Sequence, residues 1–379
     1  MISKNILLVN IGEPLPIEGN KKHRMSFWFD HLTKKGHKVK FLTTNFEHQK
    51  KRWIKKKLKN YILMNSFISY HENISIGRSL NHFLISISYI KMLYKLKKPD
   101  IIICSYPTIL LCLISVIYGN FFRVKIIIDV RDKWPDIFFK RKIMKIIFYI
   151  LFIFKKMIFK YADEIISISS SYLDWACKSI NSEKIIPLIN SNYVHKKKNI
   201  KKIKFLKFVF VGSLGTTYDF KKIVSFSKNL YKNNVKHKIF ICGDGPYKKK
   251  LLELIKDYNN IIFKGWLAEE NLNNVLIDSH FGLLFYKKKS PQSIPNKFIE
   301  YIQFSLPIIN TLGGQCNEII LKSKIGYNYN DSDISNKLGQ IIKNEDNYNI
   351  LKDRVNIYFK KHFNSKDSLN KLDKIIINA

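Results

Sequence analysis

Short apolar runs alternate with longer periodic segments along most of this chain, and the alternation is interrupted once and then restarts. The runs Asn5–Ile11, His37–Thr44, Asp100–Ser105, Lys125–Val130 and Glu164–Ser169 have the length of strands. Between or beside them, Arg24–Lys35, Ser79–Leu96, Ile143–Tyr161 and Ser171–Ile180 read as helices. In Ser79–Leu96 the apolar residues Leu80, Phe83, Leu84, Ile87 and Ile90 fall at helical spacing. Strands alternating with helices predict a parallel, doubly wound sheet. Residues 191–204 (SNYVHKKKNIKKIK) are polar, basic and without period, which predicts a linker.

After that segment the pattern resumes. Strands are expected at Lys207–Gly212, Lys238–Cys242, Asn260–Gly265, Phe281–Phe285 and Pro307–Asn310. Helices are expected at Asp219–Tyr231, Tyr247–Lys256, Glu269–Asp278 and Pro295–Gln303. A chain of 379 residues exceeds one ordinary core. The predicted organisation is an α/β protein with two Rossmann-like, doubly wound domains facing a cleft. Residues 1–190 form the first domain, 191–204 the linker and 205–360 the second. Residues 361–379 form a C-terminal helix able to cross back to the first. Ligands of open α/β sheets bind beyond the carboxyl ends of the strands, so the loops at those ends are where chemistry is sought.

Composition narrows the partners. The net charge of +37 attracts polyanions. A chain rich in Lys, Asn and Ile together also reflects A/T-rich codons, so drift and a real anionic-surface role both stand. No RNP motif, zinc finger or basic zipper accompanies the charge, and no specific nucleic acid is expected. The five cysteines form no CxxC pair, and three lie in apolar runs; buried free thiols in a reducing compartment fit better than a disulfide or zinc framework. The N-terminus leads straight into a Gly-Glu-Pro turn and reads as a strand rather than a signal peptide. The longest membrane candidate, Ile146–Phe154, is nine residues, against the roughly 20 a spanning helix needs.

Three loops of the second half suit a phosphate. In VGSLGTTYD (Val211–Asp219), Gly212 and its small neighbours allow backbone N–H groups to approach an anion closely. CGDGP (Cys242–Pro246) is a second glycine-rich turn without GxGxxG spacing, and direct contact and simple turn packing are both open. In SIPNKFIEYIQFSLPIIN (Ser293–Asn310), Pro295 suits a first helical turn, and Lys297 opposes the helix dipole unless an anion lies in front of it. Glu300, one turn on, is placed to accept ribose hydroxyls; a surface Lys–Glu pair is the plainer alternative.

In this order the segments resemble a GT-B-fold glycosyltransferase of family 4, the "group 1" retaining transferases. FVGSLGTTYD, ICGDGP, FKGWLAEENL and SIPNKFIEYIQFSLPII follow one another, the last resembling PxKxxEYxxxGxPII. Earlier, NIGEPLPIEGNKKHRM resembles the acceptor-side first loop, LTKKGHKVKFLTT the second strand, DVRDKWPD (Asp129–Asp136) the D-x-R-D-x-W-P segment, and ADEIISIS (Ala162–Ser169) a further strand. The resemblance implies that Gly212 and Ser213 meet the donor diphosphate. It sets Gly265, Trp266 and Leu267 along the nucleobase, Lys297 on the leaving diphosphate and Glu300 on the ribose. Gln292 stands where an acid is expected, so it can position sugar hydroxyls but carries no charge. The histidine often found near Arg131 and Asp132 is missing.

Arg131 and Asp132 are the catalytic candidates, Arg131 as a phosphate fork and Asp132 to orient acceptor or sugar; mutual pairing with Asp129 is the alternative. Gly19 is expected to bring backbone amides to the diphosphate, with His23 and Arg24 in reach.

The implied activity is retaining transfer from a UDP- or GDP-sugar to a lipid-linked or saccharide acceptor in cell-surface polysaccharide synthesis. No cofactor or metal is expected; the donor is a substrate. A cytoplasmic location follows, peripheral on an anionic membrane surface through Ile143–Tyr161 and the Lys50–Lys59 run. A buried helix for the first and a solvated charged helix for the second are the plainer alternatives. An epimerase of the same architecture and a non-catalytic polyanion-binding subunit remain as other readings.

Overall fold

The computed structural model describes residues 2–16, 22–48, 52–54, 59–70, 75–136, 149–178, 181–187, 202–288, 290, 293–329 and 334–378. It divides into two compact units, Met1–Asn190 with Ser365–Ala379, and Ser191–Asn364.

The first unit holds β1 (Asn5–Val9), β2 (Lys38–Thr44), the short β3 (Phe46–Glu47) and β4 (Arg52–Trp53), β5 (Tyr61–Met64), β6 (Ile101–Tyr106), β7 (Lys125–Val130) and β8 (Glu164–Ser167). The main sheet runs β5-β2-β1-β6-β7-β8, with all pairs parallel. A parallel sheet is covered on both faces, so its central strands read as unbroken apolar runs; every residue of β6 is buried. β3 and β4 make a separate antiparallel pair. Arg52 and Trp53 of the basic run therefore belong to a strand, not a helix, while 55–58 lie outside the described residues.

The helix expected to begin at Ser79 begins at Ile76, because the Ser75 hydroxyl accepts the Arg78 N–H and caps it. Its anticipated stripe faces outward: Asn81, Ile85, Tyr89 and Leu93 are the buried residues. The Ile109–Phe122 helix had no legible period, since it is apolar on nearly every side. Of the long segment 143–161, the described part is the helix Tyr149–Tyr161.

The C-terminal helix Ser365–Ile377 belongs to this first unit. Leu372 and Ile376 are buried in one cluster with Met25, Trp28 and Leu32. His31 Nε2 meets Asp373 Oδ1 at 2.8 Å, and Lys4 Nζ donates to the Ile376 carbonyl at 2.8 Å. Leu372→Ala is expected to destabilise the first unit by about 2–4 kcal/mol through the cavity it leaves, read as a lower denaturation midpoint.

The second unit repeats the plan. β9 (Leu206–Val211), β10 (His237–Cys242), β11 (Ile261–Gly265), β12 (Phe281–Leu284), β13 (Ile308–Asn310) and β14 (Gly326–Asn328) form a sheet ordered β11-β10-β9-β12-β13-β14. All its pairs are parallel. Numbered within each main sheet, with the β3–β4 pair left out, both have the Rossmann order 3-2-1-4-5-6. The core is rich in Phe: Phe208 stacks on Phe281 at 5.5 Å and meets Phe226 edge-on at 5.1 Å. Three helices that the sequence pattern did not separate, Gln315–Ser323, Ile334–Lys343 and Glu345–His362, complete the unit. Among the described residues, no helix is long and apolar enough to cross a membrane.

Candidate active site

Strand order reverses in the second sheet at β9, which has β10 on one side and β12 on the other. Beyond the carboxyl ends at such a point lies a crevice. β9 and β12 pair only at Phe208–Phe281 and Val209–Gly282, so their later residues diverge. Tyr301 fills the wedge: its buried hydroxyl accepts the Val211 N–H at 2.9 Å and donates to the Leu283 carbonyl at 3.2 Å. Gly282 makes room for that ring, which a Cβ would meet at 2.3 Å.

The loop after β9 begins at Gly212, with φ 147°. The CGDGP turn after β10 lies directly on it. A Cβ on Gly243, at φ 144°, would stand 1.9 Å from the Gly212 carbonyl oxygen. Gly212 N donates to Cys242 O at 3.0 Å, Leu214 N to Asp244 O at 2.8 Å and Gly243 N to Gly265 O at 2.7 Å. The glycines of that turn thus act in packing, stitching three successive strand-end loops together. Gly243→Ala combines a forbidden backbone with a main-chain collision and is expected to cost about 3 kcal/mol, read by calorimetry.

Lys297 sits beneath Gly212. The residue is only 6% exposed. A Cβ on Gly212 would come within 2.9 Å of its Nζ. The ammonium lies 3.7 Å from the Phe210 ring centroid, 3.8 Å from Tyr218 and 5.5 Å from Tyr286. It has no hydrogen-bond partner among the described residues. Burial holds the amine well below its ordinary value, and Glu300 pulls the other way. Ring faces attract a cation, but they satisfy none of its three donors. The helix that carries it, Asn296–Gln303, starts after Pro295 with no side-chain cap and no acid in its first turn. A desolvated cation and a positive helix end therefore meet at the switch point, an arrangement suited to an anion.

Around it, Ser213 is exposed on the same loop. Glu300 is half-buried one turn beyond Lys297, and its charge reaches Cys242 at the end of β10. Gly265 (φ 69°) and the exposed Trp266 and half-buried Leu267 follow β11. Two strand spacings, roughly 10 Å, separate that edge from β9. Gln292 lies outside the described residues. Tyr218, Tyr286 and Tyr301 were not singled out in the sequence. Tyr218 lies in the loop after β9, Tyr286 just past β12 and Tyr301 on the Asn296–Gln303 helix, and only the assembled sheet brings them together.

In the first unit a buried ionic network centres on Asp129, at the carboxyl end of β7. Arg24, 2% exposed, is bidentate to Asp129 at 2.9 and 3.1 Å and donates to the Ile186 and Pro187 carbonyls. It is thus committed to the fold, and the expectation that it reaches a diphosphate is corrected. Arg131 donates to Asp129 at 2.7 Å and to Glu13 at 2.9 Å, leaving its second terminal nitrogen without a partner among the described residues. Glu13 also accepts the N–H groups of Met25 and Ser26, at the start of the Arg24–Lys34 helix. Burial alone would push the Asp129 carboxyl up, but the Arg24 and Arg131 guanidiniums hold it below the usual carboxylate value. Asp132 stands apart from this network: its carboxylate accepts the Lys133 N–H, and burial pushes its carboxyl up. Gly19 lies outside the described residues, and His23 precedes the helix at its N-cap.

Two tandem Rossmann sheets of this order make up the GT-B architecture. The same fold appears in HepE from Anabaena in complex with UDP (TM-score 0.68, 11% identity, 99% of this chain and 100% of that one). With UDP-glucose the same protein gives TM-score 0.66, 10% identity, and coverage of 98% and 99%. It appears too in sucrose-phosphate synthase from Thermosynechococcus elongatus (0.71, 13%, 99% and 98%). The lipopolysaccharide outer core galactosyltransferase WaaB is a further case (0.60, 15%, 99% and 99%). No curated protein matches the chain in sequence. Residues 193–358 match the family described as "Glycosyl transferases group 1". The match covers the second unit, and it is the second unit that is similar to the group 1 glycosyltransferases.

Proposed function

We propose that the chain transfers a sugar, with retention, from a UDP- or GDP-sugar to a lipid-linked or saccharide acceptor in cell-surface polysaccharide synthesis. The observation that carries the donor assignment is the buried Lys297 ammonium beneath Gly212, which has no hydrogen-bond partner among the described residues. Departure of a nucleoside diphosphate develops negative charge on the bridging oxygen. Preorganised cations and helix ends are what stabilise it. Lys297 Nζ, the Gly212–Ser213 backbone and the start of the Asn296–Gln303 helix fill that role. Glu300 takes the ribose hydroxyls, Gly265, Trp266 and Leu267 the base, and Gln292 and Gly19 the sugar and diphosphate. The UDP and UDP-glucose bound by HepE agree with such a donor.

On the acceptor side, the Arg131 nitrogen that has no partner among the described residues and the carboxyl of Asp132 are the catalytic candidates. A carboxylate whose pKa is raised is the better proton acceptor for a sugar hydroxyl. Retention and the acceptor class rest on the family resemblance. Because Lys297 and the helix end supply the positive charge, transfer is expected to persist in EDTA; loss of turnover restored by Mg²⁺ would contradict that.

The deciding experiment is a transfer and donor-hydrolysis assay over a panel of nucleotide sugars, with the Glu300→Ala variant alongside. Donor turnover that falls in the variant supports the reading. Full turnover in the variant removes Glu300 from the site. Tight heparin binding with no turnover points instead to a polyanion-binding subunit, and interconversion of the free donor to an epimerase.

A further inference from the structure

Three neighbouring helices of the first unit each bury one face and expose a second apolar one. Along Ile76–Lys95, Leu80, Phe83, Ile87, Ile90 and Tyr94 recur at steps of three and four and are 41 to 70% exposed. A surface helix needs only one apolar stripe, the one facing its sheet. This helix already has one in Ile85, Tyr89 and Leu93, so the second does nothing for the unit's own core.

The stripe continues onto the neighbours. On Ile109–Phe122, Ile117 is exposed and Phe121 is 80% exposed. On Tyr149–Tyr161, Ile150, Ile153 and Met157 are exposed at the same spacing. Tyr94 meets Tyr118 and Phe122 edge-on at 6.5 and 6.1 Å, joining the first helix to the second. Asn120 Nδ2 donates to the Tyr161 carbonyl at 3.1 Å, joining the second to the third. The three follow β5, β6 and β7 in one direction across the sheet, so right-handed connections set them on one side of it.

Their charge has a single sign. None of the three helices contains Asp or Glu, while Arg78, Lys91, Lys95, Lys156 and Lys160 stand among the apolar positions. A two-fold contact between copies through this face would set these cations against themselves with no carboxylate on either side. An anionic lipid surface matches both properties. Its acyl boundary takes apolar side chains to shallow depth and its head groups take the lysines.

We propose that this three-helix face docks the protein on an anionic phospholipid surface. The proposal rests on the lipid-linked acceptor reading for its purpose, whereas binding itself needs no sugar nucleotide. The protein therefore lies on the bilayer, with Phe83, Ile87 and Phe121 among the inserted side chains.

The test is flotation of the full chain with vesicles of phosphatidylglycerol and phosphatidylcholine in equal parts, against phosphatidylcholine alone. The wild type is expected to float with the anionic vesicles. The F83S/I87S/F121S variant is expected to lose roughly tenfold in partition per side chain, with an unchanged melting midpoint and unchanged turnover on a water-soluble acceptor. A wild type that stays unbound, or a variant that floats as well, overturns the proposal. So does light scattering that shows a wild-type dimer and a monomeric variant, neither of which floats. Should the triple variant unfold, Phe121→Trp decides: quenching by brominated acyl chains beyond that of the wild type is expected, and equal quenching overturns insertion. Flotation without donor turnover would keep the docking face and refute the transfer reading.

Discussion

Lys297→Met is expected to lower kcat/KM for the donor by roughly a hundred- to a thousand-fold, the usual loss when one charge-stabilising group is removed from a transition state. The same variant is expected to be at least as stable as the wild type when empty. It replaces a buried ammonium, lacking a partner among the described residues, with an apolar chain of similar length. Nucleotide should raise the melting temperature of the wild type and leave the variant nearly unmoved. A variant that loses both stability and binding would point to a structural lysine instead.

Burial holds the Lys297 amine below its unfolded value. Between the two values the unfolded chain carries the extra proton, so this residue makes stability rise with pH across that window. The penalty is full below the folded value and gone above the ordinary lysine range. A bound diphosphate favours the charged form, so nucleotide binding within the window takes up a proton. Calorimetric titration in buffers of different ionisation enthalpy measures this uptake, which should vanish in Lys297→Met.

The second large effect is expected at Asp129. Asp129→Ala strips the counter-charge from Arg24, which is 2% exposed, and leaves Arg131 with only Glu13 of its two carboxylate partners. Leaving a buried charge uncompensated costs about 3–5 kcal/mol, and denaturant titration should show that loss. Since Arg24 and Arg131 hold the Asp129 carboxyl down, its contribution is full above the ordinary carboxylate range and is lost as pH falls through the folded value. The acid limb of the stability curve should therefore be shallower in the variant.

How much of this was legible in the sequence depended on whether the cause was local. β6, β7, β9 and β12 stand out as contiguous apolar runs because a parallel sheet is buried on both faces. Ile109–Phe122 did not stand out, since its charge-free sequence hides any 3.6 period. Leu80, Phe83, Ile87 and Ile90 gave a clear helical period, yet nothing in a period says whether its stripe meets a sheet or the solvent. Lys297 was conspicuous as a cation opposing a helix dipole. Its burial between Phe210 and Tyr218 depends on residues about eighty positions away and had no local signal. Arg24 misled for a similar reason. Its partners Asp129, Ile186 and Pro187 come from distant strands and loops, and a basic residue after a glycine-containing loop resembles an anion ligand until they are seen.

The central claim is that a nucleoside diphosphate binds with its phosphates over Lys297. A crystal structure of the protein soaked with UDP tests it most directly. A β-phosphate oxygen about 2.8 Å from Lys297 Nζ, with the Gly212–Ser213 backbone on the same phosphate, is the expected result. A diphosphate bound elsewhere, with Nζ still facing only the Phe210 and Tyr218 rings, would contradict it.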